Sequence, residues 1–144
     1  MSKILLIEDN GSLSNALEEK LSDLGYLVDI AYSHISALDC WEENNGQYDC
    51  IILDLQINPD GLTVLEISKY TPLFGLAFLN YICNNNPEIS KKIIIFSGFI
   101  DALKHYIRYN NSSPVNNITK ISKQSTQSIR EVINEVKKVI HNSK

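Results

Sequence analysis

Short, almost uninterrupted apolar runs are the feature that most restricts the fold of this chain. Residues 4–7, 50–53 and 93–96 read Ile-Leu-Leu-Ile, Cys-Ile-Ile-Leu and Ile-Ile-Ile-Phe. Such runs are typical of strands that are buried on both faces of a parallel sheet. Stretches with apolar residues at helical spacing separate them, so that strand and helix alternate five times. The sequence therefore predicts an α/β fold, with helices on both faces of a parallel sheet.

Weaker patterns predict the remaining elements. Two further strands are expected, at 26–31 and, less strongly marked, at 115–119. The expected helices cover about 13–24, 35–41, 76–83, 102–109 and 129–140. The last of these carries its apolar residues on one face, which indicates packing against the sheet.

Composition excludes several classes of function. The chain has 144 residues with a net charge of −4, which suits one domain and offers no basic surface for nucleic acid or anionic membranes. No apolar run is long enough for a membrane span, and from the first residues we expect no signal peptide. Cys40, Cys50 and Cys83 have no paired spacing and indicate buried thiols in a reducing compartment. We therefore expect a cytoplasmic protein that binds neither nucleic acid nor membranes.

Carboxylates follow two of the apolar runs directly. Glu8 and Asp9 come after the first run, and Asp54 after the run at 50–53. If these strands are parallel neighbours, the three acids meet at one edge of the sheet. Clustered carboxylates repel one another unless a cation lies between them, and Mg²⁺ prefers such oxygen ligands. Alone, Glu8 and Asp9 could equally be anions at a helix N-terminus; together with Asp54 they favour a metal site.

Two more polar residues are expected at the same edge, where open α/β sheets bind their ligands. Ser97 ends the run at 93–96, and Lys120 ends the predicted fifth strand. Lys123 is a rival for the lysine position, and we favour Lys120 because it follows that strand directly. A hydroxyl and an ammonium beside a metal-bound carboxylate suit contacts to phosphoryl oxygens.

The order Glu8-Asp9, Asp54, Ser97, Lys120 resembles the receiver domain of two-component response regulators, over nearly the whole chain. The resemblance implies a doubly wound, flavodoxin-like (βα)5 fold with strand order 2-1-3-4-5. It also implies a protein that takes a phosphoryl group from a histidine kinase or a histidine phosphotransfer protein, and that signals by contacting an unidentified output protein.

The same resemblance implies a role for each site residue. Asp54 would accept the phosphoryl group, Ser97 would bond to it, and Lys120 would pair with it. The Mg²⁺ ligands would be Glu8, Asp9, Asp54 and the backbone carbonyl of Gln56. The chain would catalyse only its own phosphorylation and dephosphorylation, as a monomer or a weak homodimer.

Three departures from the family pattern stand out. Ile121 follows Lys120 where the family often has proline, and Asn117 occupies the place of an aromatic switch residue. The third departure is length: within a single domain over 1–144, about a dozen extra residues fall in the segment 57–72, between strand 3 and helix 3. This segment is apolar enough that we expect a short helix near 62–69, which covers either the metal site or a partner.

Two rival functions remain open. One is a receiver-like binding module that never uses phosphate, which the departures favour slightly and the intact acids oppose. The other is a metal-dependent phosphatase with an aspartate nucleophile. Such enzymes usually carry a second acid two residues after the nucleophile, where this chain has Gln56.

Overall fold

A five-stranded parallel sheet forms the centre of the computed structural model, which describes residues 1–109 and 114–142. The strands are β1 Lys3–Ile7, β2 Leu27–Ala31, β3 Cys50–Leu53, β4 Ile93–Ser97 and β5 Thr119–Ser122. The helices are α1 Gly11–Asp23, α2 His34–Glu43, α3 Val64–Tyr70, α4 Gly75–Asn85, α5 Ile100–Tyr109 and α6 Ser128–Asn142. Short 3-10 helices at Pro87–Lys92 and Pro114–Asn117 precede β4 and β5.

The strand order is β2-β1-β3-β4-β5, which confirms the predicted doubly wound topology. β1 pairs with both β2 and β3, with Ile7 opposite Ala31 on one side and Leu53 on the other. Because the chain leaves β1 in one direction and returns to its other side through β3, the order reverses here. Ligand sites in such sheets form at this reversal, beyond the carboxyl ends of the strands.

Each face of the sheet carries its own apolar core. Leu5 and Ile7 face the core under α2, α4 and α5, whereas Ile4 and Leu6 face the core under α1 and α6. Successive residues of one strand therefore enter opposite cores, which explains the uninterrupted apolar runs. Val132 and the other buried residues of α6 confirm the predicted apolar face of that helix.

The predicted position of the fifth strand is wrong. β5 runs over Thr119–Ser122, and Val115 lies instead in the 3-10 helix Pro114–Asn117. Val115 and Ile118 are three residues apart, a spacing that puts both side chains on one side of a 3-10 turn, and both are buried in the core. Within β5 only Ile121 is buried.

The segment 57–72 contains the helix α3, which confirms the expected short helix. A reciprocal cap starts it: Thr63 Oγ1 accepts the Glu66 N–H, and Glu66 Oε1 accepts the Thr63 N–H. The start of the segment lies against α2, where the His34 N–H donates to Asn58 O at 3.1 Å. The segment is thus attached to the fold before α3 begins.

Two of the three thiols are buried as the sequence predicts. Cys50 and Cys83 are buried, Cys40 is half-buried, and all three are free. Separately, no helix in the described parts of the chain has both the length and the apolar character of a membrane span.

Candidate phosphoacceptor and metal site

The backbone of the sheet brings the acidic residues together. The Asp54 N–H donates to Ile7 O, and the Glu8 N–H donates to Ala31 O, each at 2.9 Å. Parallel pairing therefore continues one residue beyond β1 and β3. As a result Glu8 and Asp54 leave neighbouring strands side by side, as the sequence predicts.

The three carboxylates form a compact cluster. One carboxylate oxygen from each of Glu8, Asp9 and Asp54 lies within 4.8 Å of the other two. Glu8 is 1% exposed and Asp54 is 4% exposed, whereas Asp9 faces solvent. Hard oxygen donors with one open side suit Mg²⁺, which binds to few protein ligands and keeps several waters. These residues therefore fit a magnesium ion.

The electrostatics of the cluster also favour a cation. Burial, followed by the charge of Asp54, raises the pKa of Glu8 from 4.5 to about 7. The same two causes raise the pKa of Asp9. A divalent ion would offset this repulsion and hold the acids ionised.

Lys123 supplies the positive charge of the site, and this corrects the predicted choice of lysine. Lys123 Nζ lies 2.6 Å from Glu8 Oε1 and 2.9 Å from Asp54 Oδ2. Lys120 Nζ instead donates to Ile118 O at 2.8 Å. Burial acts to lower the pKa of Lys123, but its hydrogen bonds to Glu8 and Asp54 outweigh this and raise it.

The register of β5 explains the correction. Ser122, the last residue of β5, pairs with Ser97, and the Lys123 N–H then donates to Ser97 O at 3.1 Å. Lys123 is thus the residue that follows the strand end. The sequence signal for this register is weak, because Ile121 is the one buried residue of β5 and Thr119 is exposed.

Ser97 and Gln56 also lie at this edge of the sheet. Ser97 is fully buried at the end of β4, and its Oγ accepts the Phe99 N–H at 3.1 Å. The Gln56 N–H donates to Asp54 Oδ1 at 3.1 Å. Both oxygens of Asp54 therefore have protein partners, Gln56 on one and Lys123 on the other.

Comparison with known proteins supports the same family as the site residues. No protein-family model matches the chain. The chain is 43% identical over 65 residues to the response regulator ArlR of Staphylococcus haemolyticus, a match that covers 44% of this chain and 29% of that protein. It is 37% identical over 57 residues to hybrid signal transduction histidine kinase B of Dictyostelium discoideum, covering 40% of this chain and 3% of that protein. The chain thus spans less than a third of the length of either relative.

A solved structure matches over the full length of the chain. The receiver domain of the Francisella response regulator 1452 superposes with a TM-score of 0.70 at 22% identity, covering 100% of both chains. The fold is that of a response regulator receiver domain. Such receiver domains act in two-component signalling.

With Lys123 in place of Lys120, two of the departures from the receiver-domain pattern fall on other residues. Counted from Lys123, the following residue is Gln124 rather than proline. The place of the aromatic switch, three residues before the lysine, falls on Lys120 rather than on Asn117. Neither position gains the residue that the family often has, so both departures persist.

The segment 57–72 exposes apolar side chains on its helix α3. Val64 and Leu65 are each 82% exposed, whereas Tyr70 is buried and its hydroxyl accepts a hydrogen bond from the Asn80 amide. The helix is therefore anchored at its end and presents an apolar pair to solvent. The sequence predicts that this segment covers either the metal site or a partner. Val64 and Leu65 do not cover the metal site, because both are exposed to solvent.

Proposed function

We propose that this receiver domain takes a phosphoryl group from a phosphohistidine onto Asp54, with Mg²⁺, and signals by protein contact. The observation that carries the proposal is the position of Asp54. Its carboxylate ends a central strand, lies within a cluster of three acids, and is paired with Lys123. A nucleophile, a cation site and an ammonium group are thus in contact at the edge of the sheet where ligands bind.

The transfer requires one bond to form and one to break. A carboxylate oxygen of Asp54 attacks phosphorus, the phosphorus–nitrogen bond of the phosphohistidine breaks, and the imidazole nitrogen keeps the electron pair. Hydrolysis of the aspartyl phosphate by water then restores Asp54 and releases inorganic phosphate.

Glu8, Asp9, Asp54 and the backbone carbonyl of Gln56 would hold the magnesium ion. When bound, the ion neutralises charge on the phosphoryl oxygens and on the acids. The remaining stabilisation comes from protein groups: the Lys123 ammonium for phosphoryl oxygens, and the Ser97 hydroxyl as a hydrogen-bond donor.

Lys123 gives the site a means of reporting phosphorylation. In the structure its ammonium is divided between Glu8 and Asp54. A phosphoryl group on Asp54 gives the Lys123 ammonium additional oxygens to bind, and so draws it away from its present position between the two carboxylates. Because Lys123 directly follows β5, this change acts on the connection from β5 to α6 and on the surface there. The output is contact with another protein.

The test is phosphorylation of the intact chain by a small phosphodonor. Wild type and Asp54→Asn are incubated with Mg²⁺ and acetyl phosphate and compared by intact-protein mass. Wild type should gain one phosphoryl group and Asp54→Asn none. Asp60→Asn, which alters an exposed acid of the segment 57–72, is the matched control and should behave as wild type. Equal labelling of wild type and Asp54→Asn would overturn the role of Asp54, because another residue would then accept the phosphoryl group. No labelling of either protein would overturn the proposal in favour of a phosphate-independent binding module.

A further inference from the structure

We infer that Gly75 is a positioning residue for the phosphoacceptor, an inference that rests on the proposed function of Asp54. Gly75 is the first residue of α4 and is separated from Asp54 by the whole segment 57–72. In space, however, it lies against the Asp54–Leu55 peptide. Its N–H donates to Leu55 O at 2.8 Å.

The contact leaves no room for a side chain. A Cβ at Gly75 would lie 2.3 Å from Asp54 O and 2.9 Å from Leu55 Cα. Both atoms belong to the backbone, so no flexible side chain can turn away from the new group. The contact would have to open by about 1 Å to reach van der Waals distance.

Close approach is the reason for glycine at this position. The glycines with positive φ are Gly25, Gly46 and Gly61. Gly75 has a backbone conformation that other residues adopt, so an alanine there meets a steric obstacle and no conformational one. The effect of the substitution is therefore confined to the contact between α4 and the Asp54–Leu55 peptide.

Two elements could move to relieve the clash, and both are anchored in the same core. α4 is fixed by Leu76, Phe78 and Leu79, each of which is 0% exposed in the core. The Asp54–Leu55 peptide lies just beyond the end of β3. Leu55 is also 0% exposed, so neither element is free to take up the whole displacement. We therefore expect the movement to be shared, with the peptide displaced by part of it.

Movement of this peptide would disturb the site directly. The Asp54 N–H is bonded to Ile7 O, next to Glu8, and Asp54 Oδ1 accepts the Gln56 N–H. A displaced peptide changes the placement of the Asp54 carboxylate and of the Gln56 carbonyl, which is a proposed Mg²⁺ ligand. A misplacement of about 1 Å in a reacting group can cost about 100-fold in rate.

The experiment compares wild type with Gly75→Ala and with Cys83→Ala, a core variant on the same helix. Mg²⁺ affinity is measured by calorimetry, and the phosphorylation rate with saturating acetyl phosphate by intact mass, at a temperature where all three are folded. Gly75→Ala should weaken Mg²⁺ binding about tenfold and slow phosphorylation about 100-fold. Cys83→Ala should lower the melting temperature and leave both quantities unchanged, because Cys83 is buried in α4 away from the peptide.

The outcomes separate this inference from the proposed function. Wild-type Mg²⁺ affinity and rate in Gly75→Ala would overturn the positioning role and leave phosphorylation of Asp54 intact. If wild type itself takes no phosphoryl group, the proposed function fails, and the Mg²⁺ affinities alone decide the positioning role. If Gly75→Ala does not fold, the inference is tested on the wild type by following the NMR resonance of the Gly75 amide. It should shift when Mg²⁺ is added while that of Gly46 stays constant, and an unchanged Gly75 resonance would overturn the inference.

Discussion

Neutralising Glu8 should remove a pH-dependent loss of stability from the metal-free protein. The pKa of Glu8 is raised to about 7 in the folded state, first by burial and then by the charge of Asp54. The folded protein therefore keeps a proton that the unfolded chain releases near pH 4.5. Between these values the free energy of unfolding falls as the pH rises, because the folded state must give up a proton that it binds more tightly.

The magnitude follows from the difference between the folded and unfolded pKa values of Glu8. A rise from 4.5 to about 7 corresponds to roughly 3 kcal/mol, at about 1.4 kcal/mol for each pH unit. Asp9, whose pKa is also raised, likewise makes the folded state less stable as the pH rises. His34, whose pKa is lowered by burial, makes it more stable as the pH rises toward 6.5. The contribution of Glu8 alone is thus the difference between wild type and Glu8→Gln.

The assay is urea unfolding of both proteins from pH 4.5 to pH 8, with a chelator present. Wild type should lose about 3 kcal/mol relative to Glu8→Gln across this range. Added Mg²⁺ should remove the loss in wild type, because the ion stabilises the ionised acids. Parallel pH curves for the two proteins would refute the reasoning, since they would show that ionising Glu8 costs the folded protein nothing.

Three further outcomes are expected. Lys123→Ala should destabilise the metal-free protein by roughly 3 kcal/mol at pH 8, because two buried acids lose their cation. Lys120→Ala should change the free energy of unfolding by about 0.5 kcal/mol or less. Urea unfolding measures both variants, and a larger loss in Lys120→Ala would restore Lys120 to the site. Asp9→Ala should weaken Mg²⁺ binding in a calorimetric titration by removing a charged ligand, and an unchanged affinity would exclude Asp9 from the metal site. Shortening the segment 57–72 to a tight turn should preserve the circular dichroism spectrum and Mg²⁺ binding but change the phosphorylation rate, aspartyl phosphate lifetime or kinase preference; a variant that matches wild type in all three, and in self-association, would show that the segment has no such role.

The sequence was sufficient to predict the central strands and the acids that follow them. The runs ending at Ile7 and Leu53 are buried on both faces, and few arrangements bury such strands. Once β1 and β3 are neighbours, the position of Glu8 beside Asp54 follows from strand polarity. These inferences hold because each apolar run is visible in the local sequence, and burial of both faces restricts it to a strand of a parallel sheet.

The lysine could not be predicted in the same way. β5 has only Ile121 as a buried residue, and the preceding Val115 and Ile118 satisfy the apolar requirement of a strand equally well. The choice between them depends on pairing with β4, which is a tertiary contact. An error of three residues in this weak strand was enough to exchange Lys120 for Lys123.

The contact made by Gly75 could not be predicted from the sequence, for a different reason. In the sequence this residue is a glycine at the start of a helical pattern, with no sign of the peptide against which it packs. Its partner lies about twenty residues earlier, so only the structure shows that the two meet.

The hydrogen bond between Leu55 and Gly75 has a consequence for protein engineering. The two ends of the intervening chain lie 2.8 Å apart from nitrogen to oxygen, whatever the chain does between them. For a flexible loop, each doubling of length adds only about 0.6 kcal/mol to the entropic cost of closure. A foreign peptide inserted into this stretch, with its buried residues Ile57, Tyr70 and Leu73 retained, would therefore cost the fold little. It would also be displayed at the rim of Asp54, where an epitope or a reporter could sense the chemical state of that carboxylate.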